Sequence, residues 1–138
     1  MNNTSKNKYN VVKYFEDSKV TFFKIIIQQQ ESELMNTYNN VNVEKLANIY
    51  FEGKVISRTI TFSDKTIKTL GVMLPGEYEF KTNSKELMEI ISGELSVQLQ
   101  EETNWNNIKE GMSFNVSKDS SFKVKVLKTT NYSCSYLD

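Results

Sequence analysis

The chain has 138 residues, with 17 basic side chains balanced by 17 acidic ones, no histidine and a single cysteine. That balance excludes the net field that recruits nucleic acid or an anionic membrane. The missing histidine excludes a Ser-His-Asp triad, a Cys-His pair and any imidazole metal site, and one cysteine excludes an intramolecular disulfide.

The length suits one domain. No apolar run approaches the roughly 20 residues of a membrane span, and the longest, residues 20–27, is broken by Lys24. The Asn- and Lys-rich start lacks the apolar stretch of a signal peptide, so a cytoplasmic protein is expected, as the lone Cys134 also suggests.

Residues 1–45 are rich in Asn, Gln and Lys and read as an N-terminal extension with a partly disordered start. Within it, residues 11–27 are dense in β-prone apolar side chains and read as an added strand or strand pair, residues 28–38 have helix propensity, and residues 41–47 suggest a short helix. From residue 46 to 138 short strands follow one another, the pattern of an all-β domain. Residues 50–60 read as one strand interrupted at Gly53, Ser63-Asp64-Lys65 as a turn, and residues 66–74 as the next strand.

Pro75-Gly76 then turns the chain, at the one proline, into a strand through Tyr78 and Phe80. A polar loop follows, then two strands separated by a tight turn at Gly93. Residues 101–109 form a polar loop holding Trp105, Gly111 turns into residues 112–116, and residues 117–121 turn again. Phe122, Val124 and Val126 alternate with lysines as a half-buried strand, and Tyr132, Cys134 and Tyr136 share one face of the last strand. The expected architecture is a small antiparallel barrel, whose inward faces are just wide enough for one small ligand.

Gly76, Glu86 and Gly93, followed by Gly111, Phe114 and Phe122, resemble the two cupin motifs. Thr82, Ser84 and Phe122 stand where metal-binding cupins carry histidine, so the resemblance implies a metal-free member. The strings Tyr50-Phe51-Glu52-Gly53-Lys54-Val55, Gly71-Val72-Met73-Leu74-Pro75-Gly76-Glu77-Tyr78-Glu79-Phe80, Ile91-Ser92-Gly93-Glu94-Leu95 and Tyr132-Ser133-Cys134-Ser135-Tyr136-Leu137 are similar to the small bacterial pyrimidine/purine nucleoside phosphorylase family. The resemblance spans about residues 48–137. It implies a single small cupin (antiparallel β-barrel, or jelly roll), usually a homodimer. It also implies a glycosyltransferase that splits purine and pyrimidine nucleosides with phosphate into free base and ribose 1-phosphate, without other cofactors. The alternative within the same fold is a non-catalytic module that binds a nucleoside, sugar or phosphate ester. Members often carry a basic residue where Ile67 stands and an arginine where Ser135 stands.

Phosphorolysis needs a cationic cradle, donors and acceptors for ribose hydroxyls, and a surface for the base. Lys54, Arg58 and Lys68 are the expected phosphate ligands, Arg58 because its fork can hold two oxygens at once. If Thr82 points inward, period two places Tyr78 and Phe80 inside as stacking surfaces, with Glu77 and Glu79 outside. Glu86, with Arg58, is the candidate catalytic residue. As a half-buried carboxylate that binds ribose hydroxyls or a base N–H, it should have a raised pKa unless it is paired with one of these cations. Tyr136 completes the expected substrate-binding set, Lys54, Lys68, Tyr78, Phe80 and Thr82 being the others.

Overall fold

The computed structural model describes residues 36–137 together with Lys24. The chain divides into two units, Met1–Asn40 and Val41–Asp138. Most of the first unit lies outside the described residues, and with it the strand expected over residues 11–27 and most of the helix-prone stretch 28–38; Lys24 and Asn36 are helical. The second unit carries nine strands in one antiparallel sheet system: β1 Asn42–Val43, β2 Asn48–Tyr50, β3 Val55–Thr61, β4 Ile67–Met73, β5 Gly76–Lys81, β6 Glu86–Leu99, β7 Asn106–Lys109, β8 Ser113–Val116 and β9 Ser121–Tyr136.

The two long strands β6 and β9 are the spine, paired from Glu86↔Tyr136 to Leu99↔Phe122. The first half of β6 is flanked by β8 and the second by β7. Along the other edge of β9, its first half pairs with β5 and its second half with β4, which continues through β3 to β1 and β2. Each long strand thus belongs to two sheet halves, the arrangement that rolls an antiparallel sheet around a core. Val55, Met73, Tyr78, Ile90, Leu95, Val97, Phe122, Val124 and Tyr132 join one buried cluster drawn from both halves. The expected alternation holds on β5, where Tyr78 is buried and Phe80 half-buried while Glu77 and Glu79 are exposed, and on the first half of β9, where Lys123 is exposed between buried Phe122 and Val124.

Five local readings are corrected. Gly93 makes no turn: it lies inside the continuous β6, at φ +99°, where the register to β9 shifts between Ile90 and Leu95. A glycine at positive φ absorbs the extra residue of a β-bulge as readily as it makes a turn. Gly53 likewise does not interrupt one strand. Phe51, Glu52 and Gly53 all have positive φ (51°, 57° and 90°) and reverse the chain, so that β2 and β3 form a hairpin closed by Tyr50↔Val55. Residues 42–43 are strand rather than helix, pairing with the end of β3. The polar loop ends at Trp105, and β7 follows it; the Lys125 ammonium sits 4.2 Å from the Trp105 ring centre. Finally, the last two expected strands are one, β9.

Candidate active site

A cavity of about 130 Å³ opens at one end of the core. Its walls come from five strands whose inward phase converges there: Ser57 of β3, Thr69 and Met73 of β4, Phe80 of β5, Glu86 and Met88 of β6, and Phe122, Tyr132, Cys134 and Tyr136 of β9. Tyr50 and Lys81 complete the lining. Gly71 leaves room for this wall, since a Cβ there would lie 2.8 Å from Cζ of Tyr132 and 2.5 Å from the Ile56 carbonyl. On the apolar side Phe80 stacks on Phe122 with centroids 5.2 Å apart. An apolar cavity of about 150 Å³ accepts one benzene-sized ring, so this one suits a single ring of a larger ligand.

The polar side is organised by strand register. Glu86 stands opposite Tyr136, and Cys134 lies between Met88 on one edge and Thr69 on the other. The Cys134 thiol donates to Glu86 Oε2 over 3.4 Å, and the Thr69 and Tyr136 hydroxyls are 3.5 Å apart. Burial raises the Glu86 pKa, and the thiol's hydrogen bond pulls it partly back. Burial, reinforced by the Glu86 charge, pushes the Cys134 thiol up to about 12. Tyr136 is pushed up to about 12 and Tyr132 is also raised, both chiefly by burial. At neutral pH the thiol and both phenols therefore keep their protons. Glu86 Oε1 takes no hydrogen bond from the described residues, which leaves it as an acceptor for a ligand.

Of the residues expected from the sequence, the cavity brings together Glu86, Phe80 and Tyr136. Tyr78 is inward but lies in the core, its hydroxyl donating to the Leu74 carbonyl at 2.6 Å. Thr82 is inward too, yet its hydroxyl is fully used: it donates to the Ser117 carbonyl at 2.7 Å and accepts from the Ser120 N–H at 3.0 Å, tying the start of the loop after β5 to the β8–β9 turn. The cations are elsewhere. Arg58 falls between buried Ser57 and half-buried Thr59, so β3 turns it outward, where its guanidinium holds the Glu44 and Lys45 carbonyls. Lys54 is exposed just after the β2–β3 turn and outside the lining. Lys68 is out of phase with Thr69 and lies 3.8 Å from a Glu89 carboxylate oxygen.

Sequence reading missed Ser57, Thr69, Tyr132 and Cys134 as a single wall. Period two on β3, β4 and β9 could have supplied it, once those strands were known to be neighbours. Ser135 pairs with Lys68 on the face opposite Cys134, so the absence of an arginine there takes no cation from the cavity wall. The cupin metal positions do not fit a cation: the Thr82 hydroxyl is committed to backbone groups and Phe122 is an aromatic wall. Among the described residues no three Cys, Asp or Glu side chains converge.

The fold is that of known cupins: an RmlC-like cupin from Shewanella frigidimarina superposes with TM-score 0.54 at 13% identity, over 72% of this chain and 86% of that one. A crystal structure of a protein of unknown function (DUF1255) from Acinetobacter sp. ADP1 superposes with TM-score 0.72 at 40% identity, over 73% of this chain and 98% of that one. The pyrimidine/purine nucleoside phosphorylase of Sulfurovum sp. (strain NBC37-1) is 58% identical over 103 residues, 75% of this chain and 100% of the relative. Residues 45–136, which include every strand from β2 to β9, match the pyrimidine/purine nucleoside phosphorylase family, and the chain belongs to that family.

Proposed function

We propose that the chain is a nucleoside phosphorylase, a glycosyltransferase that moves the pentosyl group of purine and pyrimidine nucleosides to phosphate. The reaction converts nucleoside and hydrogen phosphate into base and ribose 1-phosphate. A phosphate oxygen bonds to C1′, the C–N electron pair leaves with the base, and the phosphate proton ends on the base nitrogen. One observation carries the reading for this site: Glu86, whose Oε1 takes no hydrogen bond from the described residues, lines the same cavity as the stacked Phe80 and Phe122. The carboxylate is suited to ribose hydroxyls and the aromatic wall to a flat ring. Negative charge held near a sugar that becomes cationic as its bond breaks also lowers the barrier.

For phosphate, Lys81 replaces the three cations expected from the sequence, since it is the basic residue among those lining the cavity. No cofactor besides phosphate is invoked, and the protein works in the cytoplasm. It is a homodimer, supported by exposed Ile56, Leu70 and Val72, which stand together on the outer face of β3 and β4 through the pair Ile56↔Val72. Light scattering at micromolar concentration should give about twice the 16.0 kDa chain mass.

The deciding experiment incubates the protein with uridine or adenosine. Base should appear only when phosphate is present, together with ribose 1-phosphate. Nucleoside binding without base release at high phosphate would replace the enzyme with a binding module.

A further inference from the structure

We propose that Cys134 is a positioning residue for Glu86: its thiol holds one carboxylate oxygen so that the other is presented to the cavity as an acceptor. Use of that acceptor by a nucleoside rests on the function proposed above; the contact itself does not.

Cys134 and Glu86 lie on neighbouring strands. Cys134 is directly opposite Met88, so it meets Glu86 diagonally, one pair along the same face of the sheet. The Sγ to Oε2 distance of 3.4 Å is that of a sulfur hydrogen bond, and this thiol is the one donor to Glu86 among the described residues. No described lysine or arginine forms an ion pair with Glu86. A half-buried carboxylate in that position has two stable choices, to take a proton or to keep a hydrogen bond that favours its charged form. The cysteine supplies the second. Cys134 is almost fully buried, and the other acceptor of its thiol, the Ser135 carbonyl, is more distant at 4.0 Å.

The titratable and charged side chains that line the cavity with Glu86 are Tyr50 from β2, Lys81 from the end of β5, and Tyr132, Cys134 and Tyr136 from β9. The lining residues of β3 and β4, Ser57, Thr69 and Met73, do not titrate. Near neutral pH and below, Tyr132, Cys134 and Tyr136 keep their protons, because burial raises all three. Glu86 is the one carboxylate among these lining residues.

Carboxyl NMR of the full chain labelled at glutamate Cδ reads this without any need for activity, with Glu86→Gln assigning the resonance. Cys134→Ala should raise the Glu86 midpoint by about 0.5–1 pH unit, the size expected when a weak charge-assisted hydrogen bond is lost. Cys134→Val, close to cysteine in size but without a donor, should do the same, so either variant serves if the other fails to fold. Cys134→Ser keeps a donor and should stay within about 0.3 unit of the parent. The acid limb of kcat/KM for base release should move with the resonance. An unchanged midpoint in both donor-less variants would overturn the proposal. So would a serine variant that shifts as far as they do, because packing and not the donor would then be responsible. Absent base release in the parent protein, with the NMR shifts as expected, would refute the phosphorylase reading and leave the Cys134 contact standing.

Discussion

Replacing Gly93 by alanine tests whether the bend of β6 depends on a residue without a side chain. The position sits at φ +99°, where an alanine costs about 1–3 kcal/mol of backbone strain. Its Cβ would also stand 2.5 Å from the Thr129 carbonyl, 2.5 Å from the Thr130 hydroxyl and 2.7 Å from the Thr130 Cα. Two of these three atoms are backbone of the neighbouring long strand, so relief requires β9 to move. Overpacking of this kind costs about 1–3 kcal/mol. The sum, about 2–6 kcal/mol, is a large share of the roughly 5–15 kcal/mol that holds a domain folded. At about 4–8 °C per kcal/mol for a domain of this size, Tm should fall by about 10 °C or more. Thermal unfolding followed by far-ultraviolet circular dichroism measures it. A midpoint within about 3 °C of the parent would show that the register shift between Ile90 and Leu95 tolerates a side chain, and that the bulge is not what demands glycine.

Thr82→Val should cost about 2–3 kcal/mol in urea unfolding, because it leaves the Ser117 carbonyl and the Ser120 N–H without their buried partner. Lys81→Ala should raise KM for phosphate by roughly tenfold, the loss of a charge-assisted hydrogen bond of about 1.5 kcal/mol, while Arg58→Ala and Lys68→Ala leave it unchanged in steady-state assays. The outcome that rejects this assignment is a phosphate KM that responds to Arg58 and not to Lys81. Glu86→Gln should lower turnover yet raise Tm near neutral pH. Burial lifts the folded-state pKa of Glu86 above its unfolded value, so the folded state binds more protons and loses stability as pH rises through that interval. The amide carries no such cost, and the difference in Tm between the two proteins should close below the ordinary carboxylate range.

What was legible in the sequence follows from which signals are local. Alternation along β5 and the first half of β9 is a two-residue pattern, and it correctly put Tyr78 and Phe80 inside and Glu77, Glu79 and Lys123 outside. Gly53 and Gly93 were equally visible as glycines, but a positive φ serves a hairpin turn and a bulge alike. Which one forms depends on whether the flanking segments pair with each other, as β2 and β3 do, or with a third strand, as both halves of β6 do with β9. The three expected cations fall outside the cavity lining for a related reason. Residues 55–60 carry apolar side chains in both phases, with Val55 and Ile60 buried and Ile56 exposed, so nothing local says that Ser57 faces the cavity and Arg58 does not. Apart from Glu86, the polar wall has no local signal. Ser57, Thr69, Glu86 and Cys134 come from four strands and are brought together by register alone. Three of the four are uncharged side chains that any strand can carry, and one of them, Cys134, is the donor to the half-buried Glu86 carboxylate. Charge and motif spacing single out Glu86; only the pairing of β6 with β9 shows why a cysteine beside it matters.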